Sequence, residues 1–107
     1  MSALADKMCA PCSGDVPALE GTELEELRQQ VPGWVVVEKH HLQRKFSFGN
    51  FREALDFVNR VGKTAEEQGH HPDIRFGWGY AEVTVFTHKI DGLTENDFIL
   101  AAKVDRL

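Results

Sequence analysis

The sequence contains few cysteines and no long apolar run. Many cysteines would indicate a disulfide or zinc protein, and a long apolar run would indicate a membrane protein. Cys9 and Cys12 are the only cysteines among 107 residues, too few for a disulfide scaffold or for a complete cysteine-only zinc site. No segment approaches the roughly 18 to 20 consecutive apolar residues of a membrane-spanning helix, and residues 1–14 lack the order of a secretory signal. We therefore expect a cytoplasmic protein that does not contact a membrane.

Basic charge is also scarce. Twelve Lys and Arg stand against seventeen Asp and Glu, which gives a net charge of -5 at pH 7. Such a chain repels the phosphate backbone of nucleic acids, so we expect no direct nucleic-acid binding. With 42% apolar residues, 107 residues are enough for one core and leave little room for a second.

The first twenty residues mix Ser, Ala, Pro, Gly and charged residues without a period. This composition predicts a mobile N-terminal arm over residues 1–20 and a folded domain over residues 21–107, with no part of the arm in the core. For the segment Cys9-Ala10-Pro11-Cys12, three interpretations stay open: a disordered tail, a redox pair, or a metal site shared between chains.

Three helices are predicted from capping signals and apolar spacing. Thr22 with Glu25 resembles a capping box, and the helix that it opens is expected to end before Pro32 and Gly33. A long second helix is expected to begin after Asn50 and end at Gly69, and a third begins after Thr94 with Asp97 three residues on. The second is the most strongly patterned of the three.

Four strands are predicted around these helices, over residues 34–37, 42–48, 74–76 and 80–88. Trp78 lies in the turn of the second hairpin, and we expect both Trp34 and Trp78 to pack in the core. The order αββαββα predicts an α+β fold, with a four-stranded antiparallel sheet that carries its helices on one face.

The five histidines are unevenly placed. His70 and His71 follow the long helix directly, Glu66 lies one turn earlier, and His88 falls at the expected end of the last strand. Imidazole titrates near pH ~6.5, so two histidines in one cleft can serve as proton donor and acceptor, with Glu66 or Asp97 orienting them. A surface histidine pair without a role, or a divalent metal site, remains an alternative; His40 and His41 are expected to be solvated.

These residues form a spaced pattern. The pattern runs through Glu66, three residues, His70-His71-Pro72, five residues, Trp78, nine residues, His88, eight residues and Asp97. It resembles the signature of the pterin-4a-carbinolamine dehydratases. The likeness extends over most of the expected domain, through Gly33-Trp34, Phe46-Ser47-Phe48, Asn50-Phe51, Ala54 and Leu93-Thr94-Glu95.

The resemblance implies a function as well as a fold. Members share the αββαββα layout, form homodimers or homotetramers, and dehydrate 4a-hydroxytetrahydrobiopterin to quinonoid dihydropterin and water without metal or cofactor. It implies a functional link to phenylalanine hydroxylase, whose pterin cofactor the reaction recycles. Carried over to this sequence, His70, His88 and His71 are catalytic, the first two as the acid–base pair, while His71, Glu66 and Asp97 bind or orient the substrate.

The resemblance also implies two alternative functions. Family relatives act as dimerisation partners of a transcription factor, so a non-catalytic interaction protein is one alternative, and a molybdopterin-associated role is another. The sequence leaves open dimer versus tetramer, the physiological pterin, and which histidine is the acid.

Overall fold

The computed structural model describes residues 4–11, 14 and 16–107, and it confirms the predicted α+β fold and element order. None of the described helices is long and apolar enough to cross a membrane. The helices and strands are, in chain order, α1 Gly21–Gln30, β1 Val35–Val37, β2 His41–Ser47, α2 Phe51–Gln68, β3 Asp73–Gly77, β4 Tyr80–Val85 and α3 Glu95–Val104. Two 3-10 turns lie at Leu4–Asp6 and His88–Ile90.

The sheet is antiparallel throughout, with the strands in the order β1-β2-β4-β3. Leu42 of β2 lies opposite Val85 of β4, and Phe46 lies opposite Ala81. Because side chains alternate along a strand, Ala81, Val83 and Val85 all face the helices and are fully buried. Helices α2 and α3 cover this face, as predicted, and bring the end of α2 next to the start of α3.

The ends of α2 follow the sequence signals. The Asn50 side chain accepts a hydrogen bond from Glu53 N at 2.9 Å, and Gly69 adopts the left-handed conformation with φ 63°. Thr94 is the N-cap of α3, as predicted, and its backbone N–H donates to Asp97. The predicted capping box at α1 is wrong, because that helix begins at Gly21 and places Thr22 inside its first turn.

The two tryptophans have opposite environments. Trp34 is buried and donates from Nε1 to Asp105 Oδ1 at 2.9 Å. Trp78 is 72% exposed, so its predicted place in the core is wrong. It lies in the tight turn between β3 and β4, where Gly79 takes φ 82°, and a two-residue turn carries its side chains beyond the covered part of the sheet.

The described part of the arm lies against the domain. Leu4 and Ala5 are buried, and Leu4 belongs to the core cluster, which differs from the expectation that the arm contributes nothing to the core. Lys103 Nζ of α3 donates to Ala5 O at 2.8 Å. The boundary near residue 20 and the mobility of the arm stay predictions, and Cys12 lies outside the described residues.

Candidate active site

A cleft of about 450 Å³ opens where the end of α2, the loop after β4 and the start of α3 meet. His70, His71 and His88 all line it. The sequence pattern predicts that these histidines meet at one cleft, and the fold brings all three to one cavity. None of the described residues that line the cleft is a carboxylate, and Glu66 and Asp97 contact His71 and His70 instead.

His70 is placed by the way in which α2 ends. Gly69 closes the helix, and the backbone N–H of His70 donates to Ala65 O at 3.2 Å. Since this bond ties His70 to the last turn of the helix, the histidine pair starts from a fixed position at the cleft.

His70 is held by a buried carboxylate. Its Nε2 lies 2.6 Å from Asp97 Oδ1, with the His70 side chain 11% exposed and that of Asp97 fully buried. The other carboxylate oxygen, Asp97 Oδ2, accepts from Thr87 Oγ1 and from the backbone N–H of Thr94, both at 2.8 Å. Three donors therefore satisfy this carboxylate, which is what a buried charge requires.

This arrangement fixes the tautomer of His70. An ionised carboxylate only accepts, so we assign the proton of this bond to Nε2 of His70, which donates it to Asp97. Thr87 donates its hydroxyl proton to Asp97. Thr94 is therefore the donor in the 2.9 Å contact between the two threonine hydroxyls. The remaining ring nitrogen, Nδ1, is the atom through which His70 can exchange a proton with another molecule.

His71 lies at the open edge of the cleft. Its Nε2 contacts Glu66 Oε2, which fixes one ring nitrogen on the helix that precedes it. Both side chains are mostly exposed, so water screens this pair and it contributes little to stability. The contact ties the His71 ring to the last turns of α2.

His88 does not lie on a strand. The predicted fourth strand ends at Val85, and His88 begins the 3-10 turn His88–Ile90, because Thr87 and Gly92 form an isolated bridge that closes the loop. The imidazole of His88 packs on the ring of Phe86, with centroids 4.2 Å apart. The histidine thus projects from a closed loop whose base is buried.

Several residues at and around the cleft were not recognised in the sequence, among them Thr87, Phe86 and His40. Thr87 shares the inward parity of Ala81, Val83 and Val85, and a hydroxyl in that row must find a buried partner, which is a signal that could have identified it. Phe86 and His40 gave no such signal. His40 packs on Phe86 with centroids 4.6 Å apart and bonds Asp91 at 2.6 Å, so it is half-buried rather than solvated.

Within the described residues, no group of three or more His, Cys, Asp or Glu side chains is arranged to hold a metal ion. Whether the chemistry of the site proceeds without metal stays a prediction.

A one-sided antiparallel sheet with a histidine-lined cleft at one end defines the class: a small α+β protein with three histidines at one cavity. Residues 17–107 match the sequence profile of the family described as pterin 4 alpha carbinolamine dehydratase. The chain belongs to this family.

Curated relatives agree along the whole chain. One from Rubrobacter xylanophilus is 73% identical and covers 100% of both chains, and one from Alkaliphilus metalliredigens is 50% identical and covers 99% of this chain and 96% of its own. Both are named, provisionally, as pterin-4-alpha-carbinolamine dehydratases.

Two solved structures share the fold. The crystal structure of a transcriptional coactivator/pterin dehydratase from Brucella melitensis superposes with a TM-score of 0.77 at 30% identity, covering 83% of this chain and 96% of that one. A pterin dehydratase-like protein described as a RuBisCO assembly factor in the alpha-carboxysome gives 0.60 at 29% identity, covering 69% and 87%. The same fold thus carries names from two functional classes.

Proposed function

We propose that this protein is a hydro-lyase that dehydrates 4a-hydroxytetrahydrobiopterin to quinonoid dihydropterin and water. The observation that carries the proposal is the single cleft lined by His70, His71 and His88, with His70 held by the buried Asp97. An interaction surface needs no buried carboxylate behind one of its histidines. A site that transfers protons gains from it, because the carboxylate fixes the tautomer and stabilises the imidazolium.

The cleft suits the substrate in size. Its volume of about 450 Å³ falls within the range of roughly 300 to 1,000 Å³ that small-molecule sites span. A pterin is a planar bicycle with polar edges, and the site offers imidazole groups that can bond such edges. Phe86 lies beneath His88 and keeps that ring at the rim, where it can approach one face of the bicycle.

The reaction needs two proton transfers. The C4a–O bond breaks and a C4a–N5 double bond forms, so the leaving hydroxyl must receive a proton and N5 must lose one. His70 and His88 share these two roles, and the net proton balance is zero. His70 acts through Nδ1, because the proton on its Nε2 stays in the bond to Asp97.

His71 has a different task. Its ring lies at the mouth of the cleft and its Nε2 is occupied by Glu66, which leaves Nδ1 for a hydrogen bond to bound pterin. We assign His71 to substrate binding, with Glu66 orienting it and Asp97 orienting His70.

The surroundings of the reaction are also part of the proposal. We propose a cytoplasmic homodimer or homotetramer that recycles the pterin of an aromatic amino acid hydroxylase such as phenylalanine hydroxylase. Strands β1 and β3 are the edges of the sheet, and Val35 on β1 is 62% exposed, so self-association would cover unpaired backbone and apolar surface. Light scattering at micromolar concentration should return a multiple of the chain mass.

The direct test follows the absorbance of 4a-hydroxytetrahydropterin, generated by a hydroxylase, with and without this protein. We expect the intermediate to disappear faster than its spontaneous dehydration, and expect the same rate after dialysis against a strong chelator. Loss of activity on chelation, restored by zinc, would contradict the metal-free acid–base mechanism.

A non-catalytic interaction protein is the second candidate function. It is favoured by the two structural relatives, one described as a transcriptional coactivator/pterin dehydratase and one as a RuBisCO assembly factor. If the chain left the decay of the intermediate at its spontaneous rate, this candidate would replace the hydro-lyase.

A further inference from the structure

We propose that the N-terminal arm forms one wall of the histidine cleft and that this wall selects pterins by the size of the substituent on the ring. The wall consists of Cys9, Ala10 and Pro11, and Asn96 is the residue that positions it. The identity of the ligand rests on the proposed function, whereas the existence of the wall does not. The family profile begins only at residue 17, so the wall lies outside the part of the chain that the profile matches.

Asn96 binds the arm through both ends of its amide. Its Oδ1 accepts from Ala10 N at 2.9 Å, and its Nδ2 donates to Ala10 O at 2.6 Å. This paired bond uses both polar backbone groups of Ala10, much as a neighbouring strand would. Because Asn96 lies in the first turn of α3, next to Asp97, the position of the arm is tied to the carboxylate that holds His70.

A second contact fixes the arm to α2. Cys9 N donates to Gln68 Oε1 at 2.9 Å, and Gln68 is the last residue of that helix. The arm therefore runs from the end of α2 to the start of α3, the two elements between which the cleft opens. A segment held at both of these sites closes one side of the cleft.

The arm is also anchored before it reaches the cleft. Leu4 is buried in the core, Lys103 Nζ bonds Ala5 O at 2.8 Å, and Lys7 pairs with Glu95 at 3.0 Å. These contacts hold the chain on α3 and leave few conformations for the residues that follow.

The chemistry of the wall is uncharged. A thiol, a methyl group and a pyrrolidine ring line it, together with backbone. Burial raises the pKa of the Cys9 thiol to about 11, so the thiol stays neutral at physiological pH. Short neutral groups distinguish ligands by the space that they leave, because they offer no charge to recognise.

The test adds bulk to the wall and, as a matched control, to the same arm outside it. Ala10→Trp places an indole at the cleft, whereas Met8→Trp adds the same side chain two residues away, at a 69% exposed position that does not line the cleft. Both positions are exposed, so neither change disturbs the core. Binding of 6-methylpterin and of biopterin is measured for each variant by fluorescence quenching.

We expect Ala10→Trp to weaken biopterin binding by about tenfold or more, and 6-methylpterin binding by less, while Met8→Trp changes neither by more than about twofold. Equal effects of the two variants, or equal effects on the two ligands, would overturn size selection by the wall.

A second measurement reports on the wall without any ligand. The amides of Cys9 and Ala10 should be protected from hydrogen exchange in the wild type. Asn96→Ala should raise the exchange rate of the Ala10 amide at least about tenfold. Unprotected amides in the wild type would show that the wall does not exist. If the wild type bound neither pterin, the proposed function and the selectivity would both fail, and amide protection would still decide whether the wall is present.

Discussion

At the scale of single residues, the site depends on how one buried carboxylate is satisfied. Asp97 is fully buried and would be costly in that position without donors on both oxygens. Thr87, Thr94 and His70 supply them. The ring of His70 is held in one tautomer only as long as this set is complete, so Thr87 should affect the rate through its bond to Asp97.

Thr87 provides the test of this dependence. Thr87→Val keeps the shape of the side chain and removes the donor to Asp97 Oδ2, so we expect a loss of about 1 to 3 kcal/mol in the free energy of unfolding and a lower kcat with little change in KM. Thr87→Ser keeps the hydroxyl and should retain both properties. Urea unfolding and steady-state kinetics measure them; wild-type kcat in a folded Thr87→Val protein would contradict the role of Thr87.

The burial of Cys9 should lower the reactivity of its thiol. Because burial raises the thiol pKa to about 11, the thiolate is scarce at pH 7, and iodoacetamide should label folded Cys12→Ser protein on the order of a hundredfold more slowly than the urea-unfolded protein. Labelling should rise as the pH approaches 11.

The raised pKa of the Cys9 thiol also makes the free energy of unfolding depend on pH. Well below pH 9 the thiol is protonated in both states and does not change the stability. Above about pH 9 the unfolded thiol ionises first, so the free energy of unfolding should fall between pH 9 and about 11. Labelling of Cys9 at the unfolded rate at pH 7 would show that the arm does not bury it.

At the scale of elements, local signals predicted the fold where a single residue decides the outcome. Asn50 and Gly69 mark the ends of α2 because a side-chain oxygen and a left-handed φ are local requirements. The predicted cap at Thr22 is wrong because threonine is also tolerated inside a first turn. The N-cap of α1 is Glu20, which has an extended backbone. His88 was misplaced because the Thr87–Gly92 bridge, a contact that no periodicity shows, ends the strand early.

The same distinction applies to the site. His70, His71 and Glu66 follow from the end of one helix and could be placed from the sequence. Phe86 and His40 meet across two separate loops, so their contact depends on the folded chain. The contribution of the arm was missed because Leu4 lies in a short segment whose apolar residues follow neither a helical nor a strand period.

The β1–β2 turn carries a prediction about strain. Glu38 and Lys39 both have positive φ, 51° and 59°, a conformation in which an L side chain is disfavoured and glycine is not. Lys39→Gly should raise the free energy of unfolding by about 0.5 to 1 kcal/mol. Lys63→Gly, at an exposed position within α2, is the matched control and should lower it by about 1 kcal/mol. Destabilisation by Lys39→Gly in urea unfolding would contradict the strained turn.

At the scale of the whole molecule, the arm and the domain form one packed unit in the described residues. Leu4 is 4% exposed and lies in the same cluster as Leu100 and Val104, so Leu4→Ala should cost about 2 to 4 kcal/mol of unfolding free energy. Met8→Ala, at a 69% exposed position in the same arm, should cost little. Equal urea midpoints for Leu4→Ala and wild type would show that the arm does not pack in solution.

The fold alone does not decide what the molecule does, since relatives with this fold carry names from two functional classes. We expect the cleft to decide the function, because His70 and His88 approach one cavity from different elements and His70 is backed by a buried carboxylate. We propose that these two imidazoles together perform the two proton transfers of a dehydration.

The double variant His70→Ala/His88→Ala tests this claim most directly, with His71→Ala as a control for substrate binding. After subtraction of the spontaneous rate, we expect each single catalytic variant to lose on the order of 10² to 10⁴ in kcat, the double variant to approach the uncatalysed rate, and His71→Ala to raise KM with a smaller effect on kcat. Circular dichroism establishes that each variant is folded. A folded double variant that dehydrates 4a-hydroxytetrahydropterin at the wild-type rate would contradict the histidine mechanism.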